Sequence, residues 1–195
     1  MRAVDGQAEE SFHWQLLKGV VGHPAVYIAG LALLAGLTCR LMDGVTALIG
    51  LPLAGLLLLQ GLLDIRYGLL FDRVNLILAC SAVIPVWTGL ITGTESLLGA
   101  CFGSGFLWLL RLITHNGIGF GDVKFAGAIG LWLGWPAIVP GLGGAFLLGG
   151  MTGIYLLLRG RTLKTRLPFG PFLGIGAYWG FLFGTRFCQW YGDWL

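Results

Sequence analysis

Two aspartates stand at the ends of apolar stretches, and their placement suits paired-carboxylate chemistry. Asp64 ends the run LLLLQGLLD, and Asp122, 58 residues later, lies at the start of the run GDVKFAGAIG. Two carboxyl groups in one low-dielectric pocket cannot both ionise easily, so one keeps a proton while the other stays charged. Such a pair can activate water as a base and polarise a carbonyl group as an acid, which is the chemistry of aspartic proteases.

The simpler interpretation is that each aspartate only marks a helix end. Asp122 at a helix start would suit the helix dipole and could cap it, whereas Asp64 at a helix C-terminus would oppose the dipole. Gly117, Gly119 and Gly121 precede Asp122 and allow a tight turn and close backbone approach to a partner. A nucleotide site at this glycine-rich turn is disfavoured, because the aspartate that follows would repel phosphate.

Two further charged residues are candidates for supporting roles. Asp72 either pairs with a nearby cation, such as Lys124, Arg73 or Arg66, or is a solvated loop charge. Lys124, two positions after Asp122, either acts on the aspartate pair or the substrate carbonyl, or extends to the membrane interface. The sequence leaves these alternatives open.

No metal site is predicted. The four cysteines lie in apolar stretches and form no C-x-x-C pair, and the three histidines are widely spaced. Cysteines of this kind are typical of small buried hydrophobic residues rather than metal ligands. We therefore expect neither a metal nor another cofactor.

Lipid is expected to cover most of the exterior of this chain. Of its 195 residues, 56% are hydrophobic and only 11% are charged, whereas a soluble domain carries about 25% charged residues. A spanning helix needs about 20 mostly apolar residues. The sequence therefore predicts an all-α transmembrane bundle of about seven spans. The predicted spans are 24–41, 44–63, 74–93, 96–114, 122–139, 141–158 and 169–187.

The second predicted span carries a polar residue close to its end. Gln60 lies one turn before Asp64, so both side chains fall on the same helix face. We expect the Gln60 amide to hydrogen-bond either to Asp64 or to a neighbouring helix.

Basic residues in alternate loops orient the bundle. Short loops rich in Lys and Arg remain in the cytoplasm, which places Asp64 and Asp122 at the cytoplasmic ends of their spans and the N-terminus inside. The cations are Arg66, Arg73, Arg111, Lys124, Arg159, Arg161, Lys164 and Arg166. The aromatic residues then expected near the outer interface are Trp132, Trp135, Trp190, Tyr191 and Trp194.

The chain is expected to divide into two parts. Residues 1–23 form a cytoplasmic or interfacial segment, in which 8–21 is either an amphipathic helix on the membrane or a disordered lead-in. Residues 24–195 form the transmembrane core. No soluble domain or internal repeat is visible.

Three stretches resemble the type IV prepilin peptidases, which belong to the GxGD group of membrane aspartic proteases. They are DIRYGLLFDRVN (64–75), GIGFGDVKF (117–125) and LPFGPFLGIG (167–176), and the resemblance covers about residues 24–187. It implies that Asp64 and Asp122 are the catalytic pair and that no metal takes part. The supporting or substrate-binding residues on this view are Asp72, Lys124, Gly119, Gly121, Pro168 and Gly170.

The resemblance also implies a substrate and a location. Family members cleave the short basic leader from prepilin-like proteins of type IV pili or type II secretion, just before the hydrophobic N-terminal helix of the substrate. Cleavage takes place at the cytoplasmic face of the inner membrane, where cationic leader residues would suit a mouth with acidic groups. Membrane lipids are the other expected partners, and no nucleic acid is expected.

The sequence departs from the family pattern in two places. Phe71 stands where the family commonly has Pro, which leaves Asp72 as a supporting residue. The cytoplasmic segment with two C-x-x-C pairs, associated in many bacterial members with N-methylation, has no counterpart in this sequence. The resemblance is therefore to a short form with the peptidase core, and N-methyltransferase activity is not expected.

Two other functions fit an apolar chain with membrane carboxylates. An ion- or proton-coupled transporter would use Asp64 and Asp122 to bind cations, but it predicts inverted repeats and helices broken at mid-membrane. A structural scaffold explains neither the setting of the aspartates nor the glycines before Asp122. Both alternatives are weaker than the peptidase.

Overall fold

The computed structural model describes residues 23–115, 117–159 and 168–192, and this part of the chain is helical without a β-strand. The predicted all-α fold is confirmed. The predicted segment 8–21, the cations Arg161, Lys164 and Arg166, and Trp194 lie outside the described residues. The helices are α1 (Pro24–Leu41), α2 (Gly44–Tyr67), α3 (Asp72–Ser81), α4 (Val83–Trp87), α5 (Gly93–Ile113), α6 (Phe120–Leu133), α7 (Ile138–Leu158) and α8 (Gly170–Gly192).

Four of these helices, α1, α2, α5 and α7, are long and apolar enough to cross a bilayer. Large apolar side chains remain exposed on their outer faces, among them Leu33, Leu48, Leu97 and Leu147. Lipid solvates such faces, whereas contiguous apolar patches of this extent are rare on soluble proteins. The chain is therefore a multi-pass membrane protein.

The first two helices agree closely with the predicted spans. Helix α1 has the predicted bounds, and α2 begins at the predicted residue but continues to Tyr67, beyond the predicted end at 63. Gly68 then adopts a left-handed conformation (φ 65°), and its N–H donates to the carbonyl oxygen of Asp64 at 2.7 Å. A glycine at this position is a common helix terminator. Asp64 thus lies within the last turn of α2 rather than at its end.

The predicted span 74–93 is two short helices rather than one continuous helix. Helix α3 has 10 residues and α4 has 5. At the junction, the N–H of Ala82 donates to Ala79 O at 3.2 Å, which tightens the turn. Pro85 follows and has no N–H to donate, so the regular hydrogen-bond ladder cannot continue through it. Hydropathy alone did not reveal this break.

Helix α6 lies in the middle of the bundle, against α5 and α3 and near α8. It has 14 residues, so it is shorter than the predicted span 122–139, and residues 134–137 turn into α7. Gly99 of α5 and Gly130 of α6 face each other so closely that a Cβ on either would overlap the other's backbone. Small residues permit this approach between membrane helices.

Trp132, one of the aromatic residues expected near the outer interface, does not lie on the surface of the bundle. Its side chain is buried, and its indole Nε1–H donates to Leu78 O at 2.8 Å and to Ser81 Oγ at 3.0 Å. An indole inside an apolar core needs such an acceptor. Trp132 therefore joins α6 to α3 inside the bundle, whereas Trp135 and Trp190 are exposed.

The last helix, α8, packs between α7 and α2. Gly176 of α8 touches the backbone of α7 so closely that a Cβ would overlap Gly141 O. On the other side, a Cβ on Gly174 would stand 3.3 Å from Leu57 O of α2, and Gly61 of α2 lies against Pro171. These contacts bring the N-terminus of α8 beside the last turns of α2, where Asp64 is located.

Candidate active site

Asp64 is buried at the junction of α2 and α8. Its side chain is only 6% exposed, and its Oδ2 accepts a hydrogen bond from the N–H of Gly170 at 2.8 Å. Gly170 is the first residue of α8, so its N–H is one of the donors that a helix leaves unpaired at its N-terminus. The partial positive charge of that helix end favours a carboxylate there.

The bond between Asp64 and Gly170 needs a glycine. A Cβ at position 170 would stand 2.7 Å from Asp64 Oδ2 and 3.0 Å from Leu70 Cδ2. Such distances are too short for non-bonded atoms. Glycine therefore lets the backbone of α8 reach the carboxylate.

Asp122 lies in the first turn of α6, two residues after the helix begins at Phe120. Gly119 is the N-cap, and a Cβ added there would stand 2.9 Å from Asp122 Oδ2. The other oxygen, Oδ1, is buried and has no hydrogen-bond partner among the described residues. The N-cap of α6 is Gly119 and Asp122 is an acidic residue of its first turn, so the interpretation of Asp122 as a residue that stabilises the helix start stays open.

The two aspartates share one site. Asp64 Oδ2 accepts from Gly170 at the start of α8, and the buried Oδ1 of Asp122 lies at the start of α6. Leu70, in the loop after α2, links their surroundings: it touches Gly170 through Cδ2, and its Cβ would be 3.1 Å from a Cβ at Gly121. The fold thus brings together both residues predicted to be catalytic.

The predicted supporting residues fall into two groups. Gly119, Gly121 and Gly170 line the two aspartates, and half-buried Pro168 precedes α8. Asp72 and Lys124 lie further out, where Lys124 Nζ and Asp72 Oδ2 form an ion pair at 2.8 Å. Both side chains are exposed. The alternative in which Asp72 pairs with Lys124 is therefore the one observed.

The rim of the site is cationic rather than acidic. Arg111 and Lys124 both lie over the ring of Phe120, at 5.8 and 5.2 Å from its centroid. The guanidinium of Arg111 also donates to the carbonyl oxygen of Ile118. The only exposed carboxylate among these described rim residues, Asp72, is already paired with Lys124. The expected attraction between acidic groups at the mouth and a basic leader stays a prediction.

Sequence reasoning missed the main-chain partner of Asp64. The stretch around Gly170 was singled out as P-F-G-P-F, but nothing in that pattern assigns an N–H to a carboxylate 106 residues away.

Gln60 was expected to bond to Asp64 or to a neighbouring helix, and the neighbouring helix is observed: Gln60 Nε2 donates to Asn75 Oδ1 at 3.1 Å.

Among the described residues, no group of three or more His, Cys, Asp and Glu side chains could hold a metal ion. What the arrangement can do chemically rests on the two carboxyl groups. One of them is fixed by a main-chain donor, and the other has a buried oxygen free to bond.

Comparison with known proteins places this sequence in a family. The model of the type IV leader peptidase family matches residues 51–154. A prepilin leader peptidase/N-methyltransferase of Burkholderia pseudomallei is 34% identical over 172 residues, which is 85% of this chain and 56% of that protein. Proteins of the same name are 34% identical in Pseudomonas putida and 31% identical in Aeromonas hydrophila, with 85% and 87% of this chain covered.

The chain spans about three fifths of the length of these curated relatives, at 56%, 60% and 61%. The family match includes Asp64 and Asp122 and ends before Gly170. No solved structure matches the chain significantly.

Proposed function

The chain belongs to the type IV leader peptidase family, and on this premise we propose that it is a membrane aspartic endopeptidase that removes the basic leader from prepilin-like proteins. The observation that carries the proposal is the shared site of Asp64 and Asp122. These residues come from different helices, α2 and α6, and Leu70 lies between their surroundings, beside Gly170 and Gly121. Paired carboxyl groups of this kind hydrolyse peptide bonds.

The surroundings of the two aspartates support different roles. The carboxylate of Asp64 is held by the main-chain N–H of Gly170 at the N-terminus of α8, so we assign Asp64 as the base. Asp122 has a buried oxygen, Oδ1, without a hydrogen-bond partner among the described residues, and a buried carboxyl group of this kind is more easily kept protonated than charged, so we assign Asp122 as the acid.

The proposed reaction needs only the two carboxyl groups and a water molecule. Asp64 takes a proton from water, the water oxygen attacks the scissile carbonyl carbon, and Asp122 gives its proton to the carbonyl oxygen. When the tetrahedral intermediate collapses, the C–N bond breaks and the amine leaves with the proton held by Asp64. Asp122 regains its proton from the intermediate as the new carboxyl group forms.

The proposed side of the membrane is the cytoplasm, and the proposed membrane is the inner one. Arg66 and Arg73 flank the loop 68–71, and Arg111 and Lys124 flank the turn that precedes α6. Loops with this excess of Lys and Arg remain inside. A prepilin leader, which precedes a hydrophobic helix, would reach the site from that side.

The test is leader cleavage in membranes by variants that remove one carboxylate at a time. The full chain is co-expressed with a prepilin-like substrate, and mass spectrometry identifies the N-terminus of the product. We expect the parent to release the leader, and Asp64→Asn and Asp122→Asn to abolish cleavage because each retains the shape but loses the acid–base function.

The matched control is Asp43→Asn, which makes the same change at the exposed start of α2. This variant should cleave like the parent. Normal cleavage by either active-site variant would refute the dyad, and no cleavage by the parent of any prepilin-like substrate would refute the peptidase. The same mass spectra report whether the new N-terminus is methylated.

A further inference from the structure

Gln60 and Asn75 form a buried amide pair one turn from Asp64. Gln60 is completely buried in α2, and Asn75, in the first turn of α3, is 5% exposed. Gln60 Nε2 donates to Asn75 Oδ1 at 3.1 Å and to Phe71 O at 3.4 Å. Gln60 and Asp64 occupy the same face of α2 because they are four residues apart.

This amide pair fastens the loop that follows α2. The loop leaves the helix at Gly68 and ends at Phe71, whose carbonyl oxygen accepts from Gln60 and from the main-chain N–H of Asn75 at 3.1 Å. Gln60 therefore links Phe71, the last residue of the loop, to α2, the helix that carries Asp64.

The fastened loop carries Leu70, the residue that contacts both halves of the site. Leu70 touches Gly170, the donor to Asp64, and Gly121, the neighbour of Asp122. A shift of Phe71 would move Leu70 with it, because the two residues are consecutive. Such a movement would change how closely α8 and α6 approach each other around the two carboxyl groups.

The pair is an unfavourable choice if its only role is packing. Gln60 Oε1 and Asn75 Nδ2 are buried without a hydrogen-bond partner among the described residues. A buried polar atom without a partner destabilises the folded protein. Two leucines of similar volume would fill the same space without that cost, so a role in placing the loop explains the amides better than stability does.

We propose that Gln60 and Asn75 are positioning residues that set the geometry of the Asp64–Asp122 pair through the loop carrying Leu70. This inference rests on the proposed peptidase function. It assigns the amides no contact with the substrate or the reacting water. Their loss should therefore slow the chemical step while leaving substrate binding intact.

The decisive variant is the double substitution Gln60→Leu/Asn75→Leu in the purified full chain. It removes both amides together, so neither partner is left unpaired, and such a replacement can be nearly neutral for stability. We expect kcat for leader cleavage to fall about 10- to 100-fold, since small displacements of reacting groups have effects of that size. KM and the melting temperature should change little.

Two further variants complete the comparison. Thr38→Val removes a completely buried hydroxyl that bonds to Tyr178 between α1 and α8, away from the site, and it should keep the parental kcat. The exchange Gln60→Asn/Asn75→Gln retains one long and one short amide, and it should recover part of the kcat lost in the double leucine variant.

The outcomes separate this inference from the function on which it rests. If the parent cleaves, Asp64→Asn does not, and the double leucine variant has the parental kcat, the positioning role is wrong and the peptidase stands. A fall in kcat that is matched by a lower melting temperature and is not rescued by the exchanged pair would also overturn it. An inactive parent would refute the peptidase itself.

Discussion

The carboxylate of Asp64 is placed by a single main-chain group from the other end of the sequence. Its Oδ2 bonds to the N–H of Gly170, and the absence of a Cβ at that position makes room for the contact. A hydrogen bond to a charged acceptor in a dry site is worth about 1.5–3 kcal/mol. Gly170 therefore helps to fix the position of the Asp64 carboxylate.

Gly170→Ala should strongly reduce leader cleavage. The added Cβ would lie 2.7 Å from Asp64 Oδ2 and 2.9 Å from Asp64 Cβ, so either the carboxylate or the start of α8 must move. We expect cleavage to slow by about 10- to 100-fold. The rate of leader release in membranes, normalised to the amount of protein, measures the effect.

Gly150→Ala is the control for that prediction. Gly150 lies in α7, where a Cβ would meet no atom within 4 Å, so the variant should cleave like the parent. A Gly170→Ala variant as active as Gly150→Ala would show that the close contact is not needed for cleavage.

The sequence predicted the two aspartates but not what holds them. Asp64 and Asp122 could be recognised because their surroundings, an apolar run and a glycine-rich turn, are local in the chain. The contact with Gly170 and the bond from Gln60 to Asn75 join residues on different helices. Such contacts depend on how the helices pack, and that packing is not encoded in any short stretch.

Helices in this bundle approach one another through glycines. Between α5 and α6 the closest contact is Gly99 against Gly130, and between α7 and α8 it is Gly141 against Gly176. Since lipid tails are as apolar as the side chains, close packing and not the hydrophobic effect has to hold such helices together. The placement of α6, and with it Asp122, depends on the first of these contacts.

Gly130→Ala should destabilise the protein and reduce activity indirectly. Its Cβ would overlap the Gly99 carbonyl, which is backbone and cannot rotate away, so α5 and α6 must separate. Overpacking of this kind costs about 1–3 kcal/mol. Thermal unfolding in detergent should show a lower melting temperature than for the parent.

Gly105→Ala provides the comparison on α5, because a Cβ there meets nothing within 4 Å. It should melt at or slightly above the parental temperature, since alanine favours helix more than glycine does. Equal melting temperatures for the two variants would contradict the importance of the α5–α6 contact.

At the level of helices, the sequence predicted long apolar segments well and interrupted ones poorly. The predicted bounds 24–41 coincide with α1, because hydropathy and Pro24 both mark its start. The region 74–93 was predicted as one span since its composition is apolar throughout. The break at Ala82 comes from local hydrogen bonding and from Pro85, which a hydropathy window does not register.

Across the whole molecule, the site lies at the end of the bundle that carries most of the described cations, whereas Arg40 and Arg186 lie toward the other end. Arg66, Arg73, Arg111, Lys124 and Arg159 lie at or beside the helix ends on the side of the site. The opposite end carries the capping box of Thr92 and Glu95 at the start of α5. This asymmetry makes the proposed orientation open to a direct test.

Cysteine labelling should place the site end of α5 in the cytoplasm. The background is a variant in which all four native cysteines are replaced by alanine and which still cleaves the leader. In this background, Thr94→Cys and Thr114→Cys each place one cysteine at one end of α5. Both positions are exposed. A membrane-impermeant maleimide added to intact cells should label Thr94→Cys. It should label Thr114→Cys only in inverted membrane vesicles. The reverse pattern would place the site outside.

The bond from Gly170 to Asp64 also bears on how the protein is made. Both aspartates leave the ribosome well before residue 170, so a nascent chain already holds the acid–base pair while the group that fixes Asp64 has yet to be synthesised. Until α8 is inserted beside α2, the Asp64 carboxylate lacks the donor seen in the complete fold. The site is therefore completed only after α8 has been synthesised and inserted, well after both aspartates.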